Sequence, residues 1–181
     1  MILAENHHLL LNGNSNISDI YSQNSDEYYM YSAIETAKLS RLYDEVPIGS
    51  IIVCNSTGNI ISSAHNQTIT RQQTCSHAEI LAITKACDYF KNYRLPNCSI
   101  YSTLEPCAMC AGAIIHARLS RLIFGAWDYK TGMCGSILNL FENKTNHHTT
   151  IKSGVLEQEC KELLQSFFKQ KRINKKLNKI K

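Results

Sequence analysis

His77, Glu79, Cys107 and Cys110 are the residues of this chain whose types and spacing can do chemistry. His77-Ala78-Glu79 opens one helical pattern and Pro106-Cys107-Ala108-Met109-Cys110 opens another. Cysteines three apart in the first turn of a helix project their sulfurs from one side. The amides and partial positive charge of a helix start favour thiolates, the form that binds metal. One His and two Cys make three protein ligands for zinc, leaving the fourth tetrahedral position for water, which is the arrangement of a catalytic rather than a structural site. A bound water whose pKa falls towards ~7 is a hydroxide source at neutral pH.

Each piece has a plainer explanation when taken alone. Ser76-His77-Ala78-Glu79 fits a helix capping box, with Ser76 as N-cap and Glu79 reaching back to its amide. C-x-x-C also suits a redox dithiol or two core thiols. The combination favours zinc catalysis, because both motifs open helices and the second follows a strand.

Those helices need a frame. Met30, Ala33, Ile34 and Ala37 repeat at helical spacing within residues 26–42, which predicts an amphipathic first helix. Residues 46–53 read as a buried strand, and Asn55-Ser56-Thr57-Gly58-Asn59 as a hairpin turn into a second strand at 60–64. After a polar loop at 66–75 come a helix at 77–90, a strand at 99–103, and a helix to about residue 117 with Pro106 in its first position. A strand at 122–126, a short helical piece at 136–141, a weak strand near 149–153 and a last helix from about Leu156 complete the pattern; Leu156, Cys160, Leu163, Leu164, Phe167 and Phe168 form that helix's apolar stripe. Alternating strands and helices argue an α/β layer architecture with helices on both faces of a sheet.

Length and composition limit what such a frame can be. The 181 residues suit one domain with a real core, and 44% hydrophobic with 19% charged residues excludes wholesale disorder. Residues 1–25, rich in Asn and Ser, read as a flexible extension. No apolar run approaches a membrane span, and no basic-then-apolar leader is visible, so a cytoplasmic protein with reduced thiols is expected. The net charge of +4 is uneven. Residues 169–181 carry seven basic groups and no acid, leaving 12 basic and 15 acidic groups before them. A polyanionic partner would meet that end; a solvated Lys-rich tail is the plain alternative.

Longer motifs extend the chemical signature: Glu45-Val46-Pro47-Ile48-Gly49, Asn66, His77-Ala78-Glu79-Ile80, the run from Tyr101 through Leu104-Glu105-Pro106-Cys107-Ala108-Met109-Cys110 to Ala113, and Phe124-Gly125-Ala126-Trp127-Asp128-Tyr129-Lys130-Thr131-Gly132. On these, residues 26–173 resemble the bacterial tRNA-specific adenosine deaminases, a branch of the cytidine deaminase-like zinc deaminases that converts the wobble adenosine (A34) of an anticodon to inosine and releases ammonia. The resemblance implies a three-layer α/β/α fold with a central mixed five-stranded sheet, one zinc per subunit, a homodimer, and the tRNA anticodon arm as partner. Residue by residue, it implies zinc ligation by His77, Cys107 and Cys110, and general acid/base work by Glu79. It implies that Asn66 hydrogen-bonds the flipped adenine between walls of Val46 and Leu104. Asp128 and Lys130 would contact flanking nucleotides, and Lys171 and Arg172 tRNA phosphates. Residues 174–181 would then be a basic tail. Cys75 stands where the family is expected to have Thr and reads as a bystander. Trp127 either stacks on a base or packs the sheet edge. A deaminase of free bases or nucleosides is the competing enzyme reading. A non-catalytic zinc or RNA-binding subunit is the other, and the presence of Glu79 counts against it.

Overall fold

Chemistry at the two helix starts depends on a sheet that holds them side by side. The computed structural model describes residues 20–142 and 147–178; most of the expected N-terminal extension and the last three residues lie outside the described residues. Five strands, β1 (Gly49–Cys54), β2 (Ile60–His65), β3 (Cys98–Leu104), β4 (Arg121–Ala126) and β5 (Thr150–Lys152), form one sheet in the order β2-β1-β3-β4-β5. β1 runs antiparallel to both β2 and β3, whereas β3, β4 and β5 are parallel, so the sheet is mixed.

Strand residues alternate between two apolar cores, as the period of two requires. Ile52, Ile100, Leu122 and Phe124 face helices α3 (Ala78–Phe90) and α4 (Ala108–His116), packing with Ala82, Ala86 and Ile114. Ile51, Val53, Tyr101 and Ile123 face α1 (Asp26–Lys38) and α5 (Glu157–Leu177), packing with Met30, Ala33 and Cys160. The result is the expected three-layer α/β/α arrangement. Gly49 lets α1 lie directly on β1: a Cβ there would sit 2.2 Å from the Ala33 carbonyl oxygen. A four-residue helix α2 (Thr68–Arg71) interrupts the expected polar loop.

Several boundaries move for identifiable reasons. Ser25 caps α1 by accepting from the Tyr28 amide, and the helix tightens into a 3-10 segment at Leu39–Tyr43 instead of continuing to residue 42. That segment is tied to α5, where Arg41 Nη2 donates to the Leu163 carbonyl at 3.1 Å. Residues 46–48 form a turn, with the Ile48 amide donating to the Val46 carbonyl, so β1 starts later than expected. Pro106 precedes α4 rather than occupying its first turn, because Cys107 is the extended N-cap residue. Residues 136–141 are turns closed by a Cys134–Asn139 bridge, not a helix. Finally, α5 continues through Leu177 across the expected tail boundary, with Lys175 and Lys176 in its last turn.

Candidate metal centre and substrate pocket

His77 is the N-cap residue of α3 and Cys107 the N-cap residue of α4, both with extended backbone, and Cys110 lies in the first turn of α4. Neighbouring helix packing brings these three together. Their donor atoms lie within 4.8 Å of one another, with His77 Nδ1 3.7 Å from Cys107 Sγ and 3.6 Å from Cys110 Sγ. Zinc bound tetrahedrally at its usual N and S distances would hold such a nitrogen and sulfur about 3.6 Å apart. The donor set therefore fits a zinc ion in chemistry and in spacing. Ligation needs deprotonated sulfur, and the site favours it at one of its two cysteines. The Cys110 thiol and the His77 ring hydrogen-bond the Cys107 sulfur and hold it far below the ordinary thiol range. The same interaction, with burial, pushes Cys110 up, while contact with Cys107 raises His77.

Glu79 lies beside this group without belonging to it. Its side chain is only 4% exposed; Oε1 accepts from Ser102 Oγ at 3.1 Å, and Oε2 accepts from the Cys110 thiol at 3.5 Å. The capping-box alternative fails here. His77, not Ser76, occupies the N-cap position and makes no side-chain cap bond, while the Ser76 hydroxyl donates to Gln73 Oε1. Burial raises the proton affinity of the Glu79 carboxyl, and a carboxyl group so placed can serve as a general acid/base.

Asn66 approaches the same place from the end of β2. Its amide donates to the Ile48 carbonyl, and the next residue's amide donates to the Ser76 carbonyl, so the 66–67 segment is stitched to the start of α3. Asn66 is 5% exposed, yet its Oδ1 is buried without a hydrogen-bond partner among the described residues. Leaving such an acceptor unpaired costs about 1–3 kcal/mol, a cost that a ligand donor would remove.

The cytidine and deoxycytidylate deaminase zinc-binding region matches residues 23–126. A tRNA-specific adenosine deaminase of Bacillus subtilis (strain 168) is 45% identical over 152 residues, spanning 83% of this chain and 93% of the relative. The corresponding protein of Haemophilus influenzae is 44% identical, spanning 85% of this chain and 89% of its own length. This chain belongs to the tRNA-specific adenosine deaminase family. A structure solved in studies of A-to-I editing by tRNA:A34 deaminases at the wobble position of transfer RNA is 40% identical and superposes with a TM-score of 0.72, covering 76% of this chain and 99% of that one.

Two buried carboxylates organise the segments that adjoin Asn66 and the metal-bearing turn. Glu45 is fully buried; Oε1 accepts from the Thr70 amide at 2.7 Å and Oε2 from Thr68 Oγ1 at 3.2 Å, which fixes α2 next to Asn66. Glu105, 2% exposed, holds the loop at 128–136. Its Oε1 accepts from the amides of Cys134 at 2.9 Å and Ser136 at 3.0 Å, and its Oε2 from the Asp128 amide at 3.0 Å and the Ser136 hydroxyl. Gly132 passes so close that a Cβ would fall 2.3 Å from Glu105 Oε2. Backbone pairing of Gly132 with Cys107, and a Met133 amide donating to the Pro106 carbonyl, join this loop to the metal-bearing segment. The motifs contained both glutamates, but nothing local in the sequence assigns them these tasks. Ser102, which orients Glu79, carried no signal either.

Other expected residues fall in varied places. Val46 and Leu104 are half-buried. The Asp128 carboxylate is turned into its own loop, accepting from the amides of Lys130 and Thr131 and from the Thr131 hydroxyl, while Lys130 is exposed. Lys171 pairs with Asp44 and lies over the Phe167 ring; Arg172 is exposed. Trp127 packs edge-on against Phe124 at 4.9 Å between centroids and covers Gly135. Cys75 is exposed and outside the metal-ligating group. All eight cysteines are free thiols.

Proposed function

We propose that this chain is a zinc-dependent hydrolytic deaminase that converts the wobble adenosine of a tRNA anticodon to inosine. The carrying observation is the buried, non-ligating Glu79 carboxyl beside the His77, Cys107 and Cys110 donor group. When bound there, zinc supplies a water of lowered pKa as the nucleophile. Glu79, fixed at Oε1 by Ser102, would accept a proton from that water and deliver it to ring N1, then accept a second proton from the hydroxyl added at C6 and deliver it to the departing amine. Burial supports both transfers, because it keeps the proton affinity of Glu79 high without removing its hydrogen-bond anchor. Asn66 Oδ1, buried and unpartnered, supports a hydrogen bond to the flipped base, with Val46 and Leu104 beside it.

Access to the base would be set by the loop that Glu105 organises, with Asp128 shaping the turn and Lys130 presenting charge to flanking phosphates. Lys171, Arg172 and the basic residues after them supply the electrostatic part of binding. None of the helices among the described residues is long and apolar enough to cross a membrane. The family resemblance supports two further parts of this reading, a homodimer and a cytoplasmic location. The test incubates zinc-loaded protein with a tRNA bearing A34 and measures inosine at that position. Formation of inosine at A34 is expected; activity on free adenosine or guanine exceeding that on tRNA would reject the tRNA assignment.

A further inference from the structure

At the end of the sheet away from the metal group, Cys54 closes β1 and Cys98 opens β3, and the two are direct partners in the antiparallel register. The next pair outward is joined by a hydrogen bond from the Asn55 amide to the Asn97 carbonyl at 2.9 Å. Hydrogen-bonded and non-hydrogen-bonded pairs alternate, so Cys54 and Cys98 occupy a non-hydrogen-bonded pair, where side chains come closest and Cα atoms are about 4.5 Å apart. That separation lies within the window of about 4.4–6.8 Å that a disulfide spans. Both side chains point to the same face, since cross-strand partners share one.

The two thiols differ in a way that suits sequential chemistry. Cys54 Sγ lies 3.3 Å from Ser56 Oγ in the hairpin turn, and the residue is 8% exposed. Hydrogen bonds from Ser56 and Thr57 bring it down to about 7. Cys98 is 3% exposed, and burial raises it to about 11. A thiol held toward its thiolate beside the hairpin turn thus sits opposite a more deeply buried one that stays protonated.

We propose that Cys54 and Cys98 form a peroxide-responsive thiol pair, with Cys54 as the attacked sulfur and Cys98 as the resolving one. The Cys54 thiolate attacks one oxygen of hydrogen peroxide; the O–O bond breaks, hydroxide leaves, and the sulfur becomes a sulfenic acid. The Cys98 sulfur then attacks that sulfur, the S–O bond breaks, and water leaves with the Cys98 proton. Two thiols lose two electrons in total, and one peroxide is reduced to two waters. The pair lies at the opposite end of β3 from Cys107 and Cys110, so the bridge itself uses neither metal ligand.

The experiment treats the zinc-loaded full chain with hydrogen peroxide, blocks remaining thiols, and maps peptides without reduction. A Cys54–Cys98 cross-linked peptide is expected, with Cys107 and Cys110 still bound to zinc and zinc content unchanged. In Cys98→Ser, dimedone is expected to label Cys54; in Cys54→Ser, Cys98 is expected to stay reduced. Free Cys54 in the wild-type chain after exposed Cys75 has been oxidised would overturn the proposal, as would a Cys54 bridge to any residue other than Cys98. The wild-type map decides the matter even if a variant folds poorly.

Discussion

Replacing Glu105 with Gln tests whether a single buried carboxylate shapes the substrate loop. Two amides meet Oε1, while one amide and one hydroxyl meet Oε2. An amide side chain offers an acceptor on one side only. Its oxygen can keep the Cys134 and Ser136 amides, and the Ser136 hydroxyl can reverse to accept, but the Asp128 amide then faces an N–H. The charged acceptor is lost from all four contacts, and one buried amide is left unpaired. A bond to a charged group contributes about 1.5–3 kcal/mol and an orphaned amide costs about 1–3 kcal/mol, so loop opening should become easier by about 3 kcal/mol or more. At 1.4 kcal/mol per decade, amide exchange across residues 128–136 should accelerate by about a hundredfold or more. Hydrogen exchange read by mass spectrometry measures this directly, and kcat/KM on an A34-bearing tRNA should fall at least about tenfold. Unaltered exchange in that loop would refute the reasoning, because the bonds would then not be what holds it.

Other substitutions separate the roles further. Glu79→Gln should keep zinc by metal analysis while deamination falls by about 10²–10⁴-fold, the usual range for a lost general acid/base. Asn66→Ala should lower kcat/KM on tRNA by about 10-fold to 100-fold, corresponding to about 1–3 kcal/mol for an unmade buried hydrogen bond, and steady-state kinetics check it. Deleting residues 174–181 removes Lys175, Lys176, Lys179 and Lys181; tRNA affinity should drop and its dependence on salt should flatten, read by binding across a salt series. Asp26 gives a pH test. Burial pushes its carboxyl up, but hydrogen bonds from Lys152, Arg121 and Tyr101 outweigh that and hold it below the ordinary value. Its contribution is therefore complete above the unfolded value of about 3.9 and lost as pH falls through the lower folded value. Urea unfolding of Asp26→Asn should show less stability than wild type at pH 6, with the gap closing at strongly acidic pH.

The zinc donors were legible because each depends on a local event. His77 and Cys107 start helices, and spacing alone puts Cys110 on the same side as Cys107. The alternation of Ile51 with Ile52, and of Ile100 with Tyr101, likewise reports two buried sheet faces through the strand period. What stayed hidden depends on partners distant in sequence. Residues 136–141 have helical composition, but the amides of Cys134 and Ser136 are drawn to Glu105, about thirty residues earlier, and turns replace the helix. Ser76 to Glu79 matched a capping box because pattern matching cannot see Ser102, which turns the Glu79 carboxyl inward. Asp128, read from the motif as part of an RNA-contacting loop, has a structural task that the motif does not display, since its oxygens close that loop.

A common device links these hidden pieces. The metal group and Glu79 sit on helix starts anchored by the sheet, which suits chemistry that requires fixed distances. The base and its neighbours must instead enter through loops, which have no ladder of their own to hold them. Glu45 and Glu105 supply that hold from inside, each gathering backbone and hydroxyl donors from a loop onto one buried carboxylate. Burying a charge is costly unless hydrogen bonds satisfy it, so each glutamate is stable only when its loop is in place. The loop, in turn, keeps its shape only while the carboxylate is there. Glu105 extends this dependence to the metal, because its loop pairs backbone with Cys107 at Gly132. A deletion in residues 128–136 should therefore disturb Cys107 as well as tRNA recognition, whereas a change confined to the exposed Lys130 side chain should affect recognition alone.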